Sequence, residues 1–201
     1  MSERRSTRII DRVTQEAVEA FVIDGVPKET LIATHQVWGP FRQKALKRLS
    51  RKGAAWPEHW HWDWNQKAKK LDLLAYHCLG IEYEQTMQGL MMLSTVYKPS
   101  RLVEEEGKPV VYVDYLETAP WNLPQLTEKP RFAAVGSSLL EAAIEFSRKE
   151  DCAGRLALHS LPQSEEFYRR YMTDIGMDSV EGVSLKYFEM SPKQADEFPE
   201  R

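Results

Sequence analysis

The segment Arg131-Phe-Ala-Ala134-Val135-Gly136-Ser137-Ser138 runs straight into Leu139-Leu-Glu-Ala-Ala-Ile, whose apolar spacing is helical. A helix start presents four backbone N–H groups without intrahelical partners, together with a partial positive charge, and so favours a phosphate. Small residues at 133, 134, 136, 137 and 138 let a ligand approach that backbone closely. Ser137 and Ser138 add hydroxyl donors, and Arg131 adds charge. No Gly-Lys-Ser/Thr follows, which sets aside a Walker-type loop. The glycines of a Rossmann fingerprint are missing too, and the strand before the segment is antiparallel to its predecessor. By itself the segment reads equally well as a Ser-rich helix start packed for structural reasons.

A second cluster is His59-Trp60-His61-Trp62-Asp63-Trp64. Were it extended, His59, His61 and Asp63 would share one face and offer three ligands to a metal ion, the basis for a metal-dependent hydrolase. Four Trp in and beside this stretch, with no further ligand near, favour aromatic packing with local histidine hydrogen bonds, and no metal is expected. The third feature is a basic helix face carrying Arg42, Lys44, Lys47, Arg48 and Lys52. It can bind an RNA acceptor through phosphates in a salt-dependent way, or simply be solvated.

These groups need a scaffold, and the chain is long enough for one. Its 201 residues are 42% hydrophobic and 28% charged, in keeping with one soluble domain and a sizeable core. Residues 1–70 hold 14 Lys/Arg against 8 Asp/Glu, a balance of +6. Residues 71–201 hold 13 against 22, or −9, and the two give the net −3. Cys78 and Cys152 sit in apolar surroundings and read as reduced core thiols, with a disulfide between them left open. No apolar stretch follows Met1-Ser-Glu-Arg-Arg and no run of ~18 apolar residues occurs. Neither a signal peptide nor a membrane span is expected, and the expected location is the cytoplasm.

Residues 1–8 and 191–201 read as frayed polar ends. Val18, Phe21 and Val22 suggest a short amphipathic helix between Thr14 and Ile23, stopped near Gly25 and Pro27. A longer helix over His35–Arg51 has Val37, Phe41, Ala45 and Leu49 facing inward. The aromatic loop Trp56–Trp64 and the solvent-facing basic residues Lys67–Lys70 follow. Leu73–Glu84, Met87–Tyr97 and Pro109–Thr118 read as strands joined tightly enough to pair antiparallel. After a loop marked by Pro120, Pro124 and Pro130 comes a helix over Val135–Lys149, with Leu139, Leu140, Ala143 and Phe146 on one face. A strand over Gly154–Ser160, a helix capped by Ser164 and containing Phe167, Tyr168 and Tyr171, and a strand over Gly182–Met190 complete the order. The expected fold is α/β: a mixed, mostly antiparallel sheet flanked by helices with a helical N-terminal extension. The expected parts are residues 1–70, a core over 71–190 and a flexible tail over 191–201.

This arrangement resembles the GNAT acyltransferase superfamily. Arg131-x-x-Ala134-x-Gly136 fills the Arg/Gln-x-x-Gly-x-Gly/Ala frame between that family's fourth strand and the next helix, with Ala134 where the first glycine stands. Downstream, Leu156-Ala-Leu-His-Ser160, Phe167-Tyr168 and Gly176-Met177 resemble its later motifs. Leu161 replaces an asparagine often found there, and the span from Tyr168 to Gly176 is longer than usual. The likeness covers roughly residues 71–190. It implies an N-acetyltransferase with acetyl-CoA as co-substrate, its pyrophosphate on Arg131 and Ala134–Ser138. Backbone N–H groups near Leu116–Thr118 would hold the thioester carbonyl, with Glu117 as base and Tyr168 as acid for the departing thiolate. Glu117 also reads as an exposed edge carboxylate or an anchor for the Thr118–Asn122 turn, and Tyr168 as a core aromatic. The first 70 residues would wall the acceptor side. The acceptor would be an amine on a small molecule, peptide or protein, exposed aromatics admit a homodimer, and a catalytically silent acyl-CoA-sensing or partner-binding module is the alternative.

Overall fold

The chain opens on a hairpin where a frayed end and a short helix were expected. The computed structural model describes residues 2–180 and 182–199. In it β1 (Glu3–Asp11) and β2 (Ala17–Asp24) pair antiparallel from Glu3↔Asp24 to Ile10↔Ala17. The reason lies in a period-two pattern. Thr7, Ile9 and Asp11 are buried in β1, and Ala20 and Val22 in β2, alternating with more exposed neighbours. Branched side chains at 18, 22 and 23 further favour a strand over a helix.

The first helix, α1 (Lys28–Arg51), starts well before His35 and runs through Pro40. It buries Leu31, Thr34, Trp38, Arg42, Ala45 and Leu46, a stripe at helical spacing that leaves Val37 56% exposed. The inward face is therefore rotated from the expected series, and Arg42 points in rather than out. Trp38 Nε1 donates to the Met87 carbonyl at 3.2 Å. The short helix α2 (Trp64–Lys67) is capped by Asp63, whose Oδ1 accepts from the Asn65 and Gln66 N–H groups.

The remaining strands are β3 (Tyr76–Tyr83), β4 (Thr86–Ser94), β5 (Val111–Thr118), β6 (Phe132–Ala133), β7 (Leu156–Ser160), β8 (Thr173–Val180) and β9 (Val183–Met190). The remaining α-helices are α3 (Val135–Lys149), α4 (Glu165–Tyr168) and α5 (Pro192–Asp196). One sheet has the order β6-β1-β2-β3-β4-β5-β7-β9-β8. The β5/β7 pair is parallel, and β1/β2, β1/β6, β2/β3, β7/β9 and β8/β9 are antiparallel. The expected mixed, mostly antiparallel sheet flanked by helices is present. Strands from both sides of residue 70 share the sheet, since β2 pairs directly with β3 from Phe21↔Glu82 to Asp24↔Leu79.

The tail is not loose over its described residues. Ser191 and Gln194 form a reciprocal capping box at the start of α5, and Ala195 and Phe198 are buried. The expected helix around Tyr168 is a single turn, so Tyr171 lies beyond it, and the following residues form β8, an element the sequence reading did not contain. Cys78 and Cys152 are both free and buried.

The chain divides into two units. Among the described residues, one comprises those up to Met91 with Leu116–Leu139, the other Met92–Tyr115 with those from Leu140 to residue 199. In the first, Ala45, Leu46 and Leu126 form a buried cluster flanked by Leu49 and Leu123. In the second, Val110, Tyr112, Ala157 and Tyr187 cluster on one sheet face with Ile175 against them. Among the described residues no helix is long and apolar enough to cross a membrane.

Candidate functional site

Glu117 stands one residue before the end of β5, with its side chain 1% exposed. Its Oε1 lies 2.5 Å from Arg42 Nη2, and its Oε2 accepts from Trp64 Nε1 at 2.7 Å. His59 Nε2 is 3.8 Å from Oε1. The edge-carboxylate expectation is thus replaced by a buried anchor, and what it anchors is the aromatic loop rather than the Thr118–Asn122 turn. Arg42 ties the same loop a second time, donating from Nη1 to the Trp62 carbonyl at 2.6 Å. Burial pushes the Glu117 carboxyl up to about 7, against Arg42, the Trp64 hydrogen bond and Lys67, which all act downward. Burial also pushes His59 down to about 4, with Arg42 and His61 adding to the effect.

The metal reading of the aromatic loop fails on geometry. His59 turns toward Glu117, His61 packs its ring on Trp60 at 5.7 Å, and Asp63 is spent on the cap of α2. Among the described residues no group of three or more His, Cys, Asp or Glu is placed to hold a metal. The loop's outer side is aromatic instead, with Trp56 and Trp60 stacked edge-on at 5.0 Å and both more than two-fifths exposed.

From β5 the chain passes into a polar clasp. The Ala119 N–H donates to the Gln88 carbonyl at 2.8 Å, Trp121 Nε1 to Gln88 Oε1 at 2.9 Å and Asn122 Nδ2 to the same oxygen at 3.2 Å. Asn122 Oδ1 then accepts from the Phe132 N–H at 3.0 Å, and the Trp121 carbonyl accepts from the Arg131 N–H at 3.0 Å. Buried Gln88 and Asn122 thereby fix both the exit from β5 and the entry to α3. Within this stretch Phe132 and Ala133 form the short edge strand β6, pairing with Asp11 and Ile10.

At the junction of β6 and α3, Ala134 has φ +68°. This is the left-handed region, where a Cβ costs about 1 kcal/mol, so alanine here is a strained stand-in for glycine. The turn leads the chain into α3 at Val135, and the first-turn N–H groups of a helix have no intrahelical acceptor. Gly89 on β4 lets that start sit close: a Cβ there would lie 2.6 Å from Val135 Cγ1 and 2.9 Å from Leu139 Cδ1.

The side chains expected to assist are engaged elsewhere. Ser137 Oγ donates to the Ala134 carbonyl at 2.9 Å and Ser138 Oγ to the Arg8 carbonyl at 3.2 Å, both from buried positions. Arg131 pairs with Asp11 at 2.8 Å while keeping 46% of its side chain exposed. Any anion here meets backbone N–H groups first, with Arg131 as a flanking charge.

Leu116, Glu117, Thr118, Arg131 and Ala134–Ser138 all belong to the first unit, and Tyr168 to the second. Tyr168 is buried, with its ring 6.0 Å from Phe188 and 5.2 Å from Phe167, and burial pushes its hydroxyl well above the usual range. In the second unit the parallel ladder links Val111–Val113 to Leu156–Leu158 and ends there. Beyond it β7 continues through Ser160 on β9 alone, while β5 runs on to Thr118.

Sequence reasoning missed Arg42, Trp64 and His59 as partners of Glu117. The signal was present in the series Leu31, Thr34, Trp38, Arg42, Ala45, which puts an arginine on the same stripe as a tryptophan.

No protein-family model matches the sequence, and a search against curated proteins finds no match. Solved structures match it by fold. AAC(6')-Ib in complex with parmomycin and acetyl-CoA has a TM-score of 0.54 at 14% identity, covering 86% of this chain and 93% of that one. The PaiA N-acetyltransferase of Thermoplasma acidophilum in complex with coenzyme A gives 0.52 at 14%, covering 86% and 99%. FeeM, an N-acyl amino acid synthase from uncultured soil microbes, gives 0.51 at 12% and covers 98% of this chain and 96% of its own. With its strand order and flanking helices, the chain shares the fold of these solved structures, two of which hold coenzyme A or acetyl-CoA.

Proposed function

We propose that this protein is an N-acetyltransferase that takes its acetyl group from acetyl-CoA and passes it to an amine acceptor within a ternary complex. The observation that carries the reading is the left-handed turn at Ala134, from which α3 starts at Val135, while both serine hydroxyls are withdrawn; the first-turn N–H groups of a helix have no intrahelical acceptor and favour an anion. In this reading the pyrophosphate sits on the backbone of Val135–Ser137, with Arg131 beside it and Ser138 closing the turn through its N–H to the Ala134 carbonyl at 2.9 Å. The thioester carbonyl lies against β5 N–H groups at Leu116–Thr118, which stabilise the oxyanion as the amine nitrogen attacks and the C–S bond then breaks. Glu117, poised at about 7, receives the ammonium proton once Trp64 releases its Oε2. Tyr168, kept protonated by burial, returns a proton to the thiolate. Structures of AAC(6')-Ib and PaiA hold acetyl-CoA or coenzyme A, which supports the choice of donor.

The sealed state of Glu117 favours a second reading, a catalytically silent module that binds acyl-CoA without transfer. Calorimetric titration with acetyl-CoA followed by a CoA-release assay over a panel of amines separates the two. Binding with release supports transfer, and binding without release against any amine supports the silent module. Absence of acetyl-CoA binding refutes both.

A further inference from the structure

A groove of about 790 Å³ follows the C-terminal half of α1, within the volume range of small-molecule sites. Its floor is apolar, built from Phe41, Ala45 and Leu126, of which Ala45 and Leu126 are core residues. Its rim is cationic, and the cations differ in how they are used. Arg48 donates to the Leu126 carbonyl at 2.9 Å, and Lys52 pairs with Glu128 at 3.0 Å, so both help form the wall. Lys44, Lys47 and Arg51 also line the groove, and among the described residues none of them has a hydrogen-bond or ion-pair partner. At 1.5 Å rise per residue they extend over roughly 10 Å along the helix.

The macrodipole accounts for Arg51, which lies in the last turn, but not for Lys44 and Lys47 further back. Three uncompensated cations beside buried apolar surface are complementary to a ligand that is itself divided, with an apolar body and an anionic head. We propose that this groove binds an amphipathic small-molecule anion, its apolar part on Phe41, Ala45 and Leu126 and its carboxylate, sulfate or phosphate among Lys44, Lys47 and Arg51. The apolar floor is what favours this occupant over a nucleic acid, for which a polar phosphate track with stacking faces is the usual surface. The site stands apart from the donor reading and does not depend on it.

The test uses the full chain and two probes below their micellar concentrations: decyl sulfate, and decyltrimethylammonium with the same chain and the opposite charge. Calorimetry and amide shifts should report saturable decyl sulfate binding confined to residues 41–52 and 126–127, with at least tenfold weaker binding of the cation. Lys44→Glu/Lys47→Glu should weaken decyl sulfate at least tenfold, with an unchanged melting temperature showing that the fold is intact. Equal binding of both probes, or sulfate binding unaffected by the double substitution, overturns the proposal. Tight oligo(U) or acidic-peptide binding at these residues with no decyl sulfate binding overturns it in favour of a macromolecular surface.

Discussion

Replacing His59 with asparagine should unmask a pH dependence of stability that the wild-type protein conceals. In the folded protein Glu117 titrates at about 7 and His59 at about 4; their ordinary values are 4.5 and 6.5. Between about 4.5 and 6.5 the folded pair therefore holds one proton, on Glu117, and the unfolded chain also holds one, on His59. Because stability follows pH only where the two states bind different numbers of protons, the pair contributes no slope across this interval. Which of the two groups carries the folded-state proton does not alter the count. In His59→Asn only the carboxyl remains. Its folded pKa is raised, so its contribution is fully present below about 4.5 and is lost as pH rises through about 7. A span of 2.5 units, from 4.5 to about 7, at ~1.36 kcal/mol each comes to about 3 kcal/mol. Urea unfolding of variant and wild type across this range checks the expectation, since the difference between the curves cancels every other titrating group. Relative to wild type, the variant should lose about 3 kcal/mol as pH rises from about 4 to 6.5. Parallel curves for the two proteins would refute the buried-pair argument.

The reciprocal substitution, Glu117→Gln, should show the opposite slope, with stability falling by about 3 kcal/mol as pH drops from 6.5 through about 4. Ala134→Gly relieves about 1–2 kcal/mol of left-handed strain against about 0.4–1 kcal/mol of added chain entropy. Thermal melts should therefore show an unchanged or modestly raised midpoint together with tighter acetyl-CoA binding. Gly89→Ala drives a Cβ into Val135 and Leu139 and should cost about 1–3 kcal/mol in denaturant titration while weakening donor binding. Tyr168→Phe should reduce turnover at least tenfold with acetyl-CoA affinity nearly unchanged; an unaltered kcat removes Tyr168 from the reaction.

The parts of the fold visible in the sequence were those whose pattern depends on one element alone. Helix α3 matches its expected span from Val135 to Lys149 because Leu139, Leu140, Ala143 and Phe146 mark one continuous stripe. The cores of β3, β4 and β5 were visible in the same way, as apolar runs between turn residues. The opening hairpin was not. Ala17-Val-Glu-Ala-Phe-Val-Ile-Asp24 satisfies a short helical pattern as well as an alternating one, and only pairing with β1 and β3 selects the strand. Strand β8 is almost devoid of buried residues, so no apolar signal announced it; it exists through its ladder with β9. The stretch Arg131–Ser138 was legible as a turn leading into a helix. Its hydroxyls were not, because whether Ser138 faces a ligand or the Arg8 carbonyl depends on a strand more than a hundred residues away. The same holds for Glu117, whose partners come from α1 and from the aromatic loop.

Two costs to stability fall close together along the chain, and their placement is itself informative. Glu117 is a buried carboxylate held by a buried guanidinium, an arrangement that a well-packed apolar set often matches or exceeds in stability. Ala134, at the other end of the connecting segment, occupies a backbone region that glycine would fill without strain. Between them Gln88 and Asn122 clamp the segment through buried hydrogen bonds, so neither feature can relax without breaking the clasp. Strain and buried charge persist only where the surroundings over-determine them, and such places concentrate at functional sites. A purely structural role would leave the rigid clasp unexplained, since an apolar residue at 117 and glycine at 134 would hold the same strands with less opposition. The proposed donor site accounts for it: in that reading the β5 end and the α3 start are the two backbone segments that a thioester and its pyrophosphate meet at a fixed separation. In that reading Asn122 helps set the separation, because its side chain spans from Gln88 on β4 to the Phe132 N–H just before the Ala134 turn.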